Sequence, residues 1–88
     1  MYLHLGNNVT VKAEDVIGIF DMDNTTISKR SRNYLNIAQK NKNLIYSGYE
    51  LPKSFVVCAA KKGENKVFLS QLSSVTLEKR IGKGWIED

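Results

Sequence analysis

The chain has 88 residues, 42% of them hydrophobic and 25% charged, with six Gly and one Pro. That composition fits one small globular domain and excludes disordered, collagen-like and fibrous chains. Net charge is +4 but uneven. Residues 1–23 set Lys12 against four carboxylates, whereas residues 24–86 set twelve Lys/Arg against Glu50, Glu64 and Glu78. Such asymmetry points to a polyanionic partner or to a lysine-rich solvated surface.

Along the chain, Tyr2-Leu3-His4-Leu5 and Val9-Thr10-Val11-Lys12 alternate apolar and polar around Gly6-Asn7-Asn8, which predicts a β-hairpin with one buried face. Val16-Ile17-Gly18-Ile19-Phe20 is apolar at every position and reads as a fully buried strand. Asp21 to Thr26 is turn-like, with Thr25 or Thr26 able to cap a helix over residues 27–42. On that helix Ile27, Ser31, Tyr34, Leu35 and Ala38 share one face, and Lys29, Arg32, Asn36 and Lys40 the other, a basic outer stripe. Leu44-Ile45-Tyr46 can form a short strand, and residues 47–53 are the most loop-like. Ser54 to Ala60 is a second strand apolar on both faces, Lys61 to Asn65 a turn, and Lys66 to Leu69 the returning strand. Ser73 or Ser74 caps a short helix from Val75 to Ile81, which puts a single domain at 1–81 and a loose tail at 82–88 that Trp85 could pin.

The fold class expected is α/β in the α+β sense: a small, mostly antiparallel sheet, one central amphipathic helix and a short C-terminal helix. Two strands apolar on both faces are more than two helices can cover. The uncovered face of either strand then packs on another subunit, or hairpin side chains complete the core within one chain.

No run approaches the roughly 20 apolar residues of a membrane helix. The start of the chain lacks a basic segment followed by a long apolar one, so a cytoplasmic protein without a membrane partner is expected. Cys58 has no second cysteine, and with His4 alone it cannot build a zinc site; no cofactor is expected. Cys58 lies mid-strand and reads as an inert core thiol. Ile19-Phe20-Asp21-Met22-Asp23-Asn24-Thr25-Thr26 is similar to the first motif of haloacid dehalogenase-like hydrolases, in which one carboxylate attacks a phosphoryl group and the second acts as acid/base with magnesium. The alternative is a polar turn before the helix. The hydrolase fold needs a doubly wound sheet, which 88 residues with a hairpin start do not supply, so Asp21 and Asp23 are kept as a remote magnesium-dependent phosphohydrolase alternative and the chain is read as a non-enzyme.

Met1 to Gly6, Asp15 to Asp21, Pro52 to Val57 and Leu72 to Arg80, in register over residues 1 to about 81, resemble the RemA/RemB family of bacterial extracellular-matrix and biofilm regulators, closest to the RemB type. The resemblance implies a small subunit that assembles into a ring-like homo-oligomer and binds double-stranded promoter DNA as a transcriptional regulator, with no small-molecule substrate. In the RemA type, arginines of the central loop contact DNA; here that loop reads Gly48-Tyr49-Glu50-Leu51-Pro52-Lys53, with Lys53 its one basic residue. The nucleic-acid-binding residues expected are Lys29, Arg30, Arg32, Lys40, Lys53, Lys79 and Arg80. Each makes a weak phosphate contact that a ring repeats. The alternative is a ring-forming scaffold that needs a partner to reach DNA.

Overall fold

The computed structural model describes residues 1–22, 29–46 and 51–86, the last five of these by their backbone alone. Strands β1 (Tyr2–Gly6) and β2 (Val9–Lys12) form the expected hairpin. Its turn residues Asn7 and Asn8 both have positive φ (47° and 67°), the conformation a two-residue hairpin turn demands and asparagine tolerates. A 3-10 turn (Ala13–Asp15) leads into β3 (Val16–Asp21). Helix α1 (Lys29–Lys40), β4 (Leu44–Tyr46), β5 (Ser54–Cys58), β6 (Lys66–Ser70) and α2 (Ser74–Ile86) follow.

There are two sheets rather than one. The hairpin stands apart from a four-stranded sheet ordered β3-β5-β6-β4. Pairing is antiparallel except for β4, which runs parallel to β6. Every residue of β5 is buried, because its side chains alternate between two layers. Val56 and Cys58 join Leu3, Leu5, Val11, Leu77 and Ile81, so the hairpin and α2 cover one face. Phe55 and Val57 join Ala38 and Val67 with Leu35 packed on them, so α1 covers the other. The second face of β5 is therefore filled within the chain.

The other doubly apolar strand departs from expectation. β3 is not fully buried: Ile17 is 60% and Phe20 45% exposed. Apolarity on both faces suits a strand enclosed in the sheet, but β3 is an edge strand. α2 packs across one of its faces, while α1 sits over β4 and β6. The ladder slips between Val16 and Gly18, leaving Ile17 at a bulge. Phe20 lies back over Gly18, where an added Cβ would come within 2.8 Å of its ring, and stacks on Phe55 at 4.9 Å.

Of two buried serines, Ser70 joins the sheets and Ser54 holds the connection that follows β6. Ser54 and Ser70 face each other across β5 and β6. Ser70 Oγ donates to the Leu5 carbonyl (2.7 Å) and accepts from the Leu72 N–H (3.1 Å), and Ser54 Oγ donates to the Leu72 carbonyl (2.7 Å).

The helices end for local reasons. Of the two candidate caps Ser73 is the one used, its Oγ accepting from the Thr76 N–H at 3.1 Å. α2 continues to Ile86, beyond the short helix expected. α1 closes two residues earlier than expected, with Lys42 at φ 59° and the Asn43 and Lys42 N–H groups bonded to the carbonyls of Ala38 and Gln39. That is a Schellman closure with lysine where glycine is usual. The expected start at Ile27, the caps Thr25 and Thr26, and the Trp85 side chain lie outside the described residues.

Two stability outcomes follow from these bonds. Ser70→Ala removes the hydroxyl that bonds the Leu5 carbonyl and the half-buried Leu72 N–H and should cost about 1–3 kcal/mol in urea unfolding; a loss within about 0.5 kcal/mol contradicts the serine link. Lys42→Gly should raise stability by about 1 kcal/mol, or about 4–8 °C in Tm, and an unchanged or lower Tm contradicts the strained closure.

Candidate nucleic-acid interface

α1, with the sequence KRSRNYLNIAQK, contains no carboxylate. Ala38 is buried and Leu35 and Ser31 are half-buried, which fixes the inner strip and turns Lys29, Arg32, Asn36 and Lys40 outward, all exposed. Tyr34, expected on the inner face, borders it and is also exposed. Lys29 and Lys40 lie about 16 Å apart along the axis at 1.5 Å per residue.

Three cations, Lys29, Arg30 and Arg32, fall within the first four residues of α1, where the helix dipole is already positive. They oppose helix stability there, and their field adds to that of the dipole to attract anions. Among the described residues the ion pair found joins the N-terminal amine to Glu14 at 3.9 Å, and no described acid forms an ion pair with an α1 cation. Glu64, near the helix C-terminus, accepts instead from Asn41 Nδ2 (3.2 Å) and Asn43 Nδ2 (3.3 Å), and Lys66 Nζ donates to Asn43 Oδ1 (2.9 Å).

The seven expected contact residues divide into three groups, every one exposed. Lys29, Arg30, Arg32 and Lys40 share one helix. Lys53 stands where β5 begins, its backbone bridging Met22 and Ser70. It lies at the end of the sheet that holds the Phe20–Phe55 pair, and Arg30 lines the same groove as that pair. Lys79 and Arg80 lie on α2, across the sheet from α1, and Arg80 Nη1 donates to the His4 carbonyl at 3.1 Å. One protomer thus carries four of the seven on α1 and one at the end of the sheet, and the α2 pair falls across the sheet from α1.

The uncovered apolar face expected on one of the two strands lies on β3, beside this surface; what the sequence did not show is the groove it forms with α1. Ile17, Phe20, Arg30, Tyr34, Phe55 and Val57 line an open groove of about 330 Å³ between β3 and α1. Its signal was the run of apolar residues in β3, which was assigned to the interior.

The catalytic alternatives lose their setting. Asp21 ends β3 as the hydrolase motif requires, but the sheet is antiparallel around β5 and not doubly wound; Asp23 lies outside the described residues. Burial, with the Asp15 charge adding to it, pushes the Cys58 thiol up to about 11, so at neutral pH it is a protonated packing residue. No helix of the described chain is long and apolar enough to cross a membrane.

With this geometry in hand, similarity to known proteins can be weighed. Residues 2–81 match the RemA-like family, described as extracellular matrix regulatory protein A-like. Extracellular matrix regulatory protein B of Bacillus subtilis (strain 168) is 38% identical over 80 residues, covering 91% of this chain and 89% of that protein. A match over nearly the full length places the chain in the RemA/RemB family of extracellular matrix regulatory proteins, with the RemB type its likeness.

Proposed function

We propose that this protein is a cytoplasmic, DNA-binding transcriptional regulator of extracellular-matrix genes, a non-enzyme acting as a homo-oligomer through a repeated basic surface. The observation that carries the reading is the outer face of α1, a cationic stripe with no acid on its own helix and no ion pair among the described residues. The matrix role follows from the name of its relative, extracellular matrix regulatory protein B.

The homo-oligomer follows from what the protomer leaves open. Among the described residues β3 forms one edge of the sheet beside the Ile17–Phe20 groove, and β4 forms the other with Ile45 and Tyr46 exposed. Leu51 is 89% exposed. Two unlike apolar edges suit head-to-tail contact, which closes into a ring when the rotation allows. Each basic face alone neutralises few phosphates; a ring holds several at high local concentration. A scaffold that assembles but reaches DNA through a partner is the second reading. Its support is the loop Gly48 to Lys53, where no arginine pair occurs.

Two measurements test this. Gel-shift titration on AT-rich duplex should give binding that weakens linearly in log affinity against log salt, by about 0.9 per phosphate neutralised. Lys29→Glu with Arg32→Glu should lower affinity roughly tenfold or more without changing particle mass. An oligomer with no duplex binding at low salt favours the scaffold. Light scattering should give a mass several times the 10.0 kDa protomer, and Ile17→Glu should reduce it to one protomer with Tm nearly kept; a wild-type monomer contradicts the assembly.

A further inference from the structure

We infer that α1 is a base-reading helix: its outer face enters the major groove of duplex DNA, where the carboxamides of Asn33, Asn36 and Gln39 recognise adenine edges while Lys29 and Lys40 hold the flanking phosphates. The inference rests on the DNA-binding reading above and adds what that reading lacks, a source of sequence preference.

At 100° per residue, Gln39, Arg32, Asn36, Lys29, Lys40 and Asn33 occupy adjoining positions on one arc of about 120°. That arc lies opposite Ser31, Leu35 and Ala38, which face the sheet. All six are exposed, all six are hydrogen-bond donors, and no apolar or acidic residue interrupts them. Among the described residues no hydrogen bond or ion pair engages any of their side chains.

Composition separates a reading face from a merely solvated one. Asparagine is a poor helix former, because its side chain competes for backbone groups. Two asparagines in the interior of a twelve-residue helix, exposed and bonded to nothing in the described chain, weaken α1 with no return inside the protomer. A face selected for solubility would carry Glu, Lys or Ala at those positions. A face that only clamps phosphates would carry Lys and Arg throughout. Carboxamides instead match the adenine edge, donating to N7 and accepting from N6, the pairing the major groove offers an Asn or Gln side chain. Arg32 in the same arc has the fork that suits guanine O6 and N7.

The dimensions agree. Lys29 and Lys40 stand about 16 Å apart, one near each end of the helix, while the groove is about 12 Å wide and admits an α-helix. The carboxamides lie between these cations, so end charges meet phosphate while the centre meets bases. α1 also lies on the outside of the sheet, with nothing in the described chain packed over its outer arc.

The test uses the full chain and three duplex probes: poly(dA-dT), poly(dG-dC), and poly(dA-dT) carrying 7-deazaadenine, which removes the N7 acceptor from the major groove and leaves the minor groove intact. Wild type should prefer poly(dA-dT) over poly(dG-dC) roughly tenfold or more, and 7-deazaadenine should erase most of that preference. Asn36→Ala with Gln39→Ala should lose the preference at unchanged salt slope, whereas Lys29→Ala should weaken all three probes alike and lower the slope. Both variants replace exposed residues by a better helix former, so circular dichroism should match wild type. Equal affinity for normal and deaza duplex, or preference kept in the carboxamide variant, overturns base reading while leaving DNA binding in place. Binding to none of the probes at low salt overturns both.

Discussion

The structure depends on one strand being buried on both sides. β5 has no exposed position, so each of its faces must be supplied with apolar cover. α1 supplies one and the hairpin with α2 the other, giving layers on both sides of a sheet in a chain of only 88 residues. Ser70 then ties the sheet to the hairpin at one end, because a hydroxyl inside an apolar strand needs a carbonyl partner, and Ser54 finds its own in the connection after β6. With β5 enclosed, α1 can give only one strip to the core, and the rest of its circumference is left to solvent.

What α1 then presents is unusual for a helix that has only to be soluble. Its cations gather toward the positive end of the helix dipole and repel one another, with no acid on the helix to offset them. Such a face is paid for in stability unless an anion is bound. Single exposed contacts contribute little, and α1 carries four of the protomer's candidate cations. Strength in the proposed reading comes from repetition, which connects the basic face to the open apolar edges: the edge strand β3 with Ile17 and Phe20, and β4 with Ile45 and Tyr46. Folding closes one greasy strand and leaves the other half open, so the same sheet supplies both core and candidate contact surface.

Much of this was legible in the sequence. Alternation marked the hairpin, a hydroxyl before a periodic run marked the start of α2, and helical periodicity separated Lys29, Arg32 and Lys40 from Leu35 and Ala38. The order of elements and the exposed stripe follow from local pattern, which is why they were recovered. What failed depended on long-range placement. Val16 to Phe20 and Ser54 to Cys58 look alike as apolar runs, yet one lies at the edge and the other in the centre; strand order distinguishes them, and strand order is not local. The split into two sheets, the parallel pairing of β4, and the serine link all rest on partners 18 to 65 residues away. The left-handed Lys42 is a departure from the glycine rule that no residue-type signal could announce.

The central claim is that the outer face of α1 is the surface that meets DNA. Lysine acetylation footprinting by mass spectrometry, with and without saturating duplex, tests it residue by residue. Lys29 and Lys40 should lose reactivity sharply in the complex while Lys79, on the opposite side of the sheet, keeps its own. A complex that forms with Lys29 and Lys40 labelled at undiminished rate, or with protection confined to α2, contradicts the account.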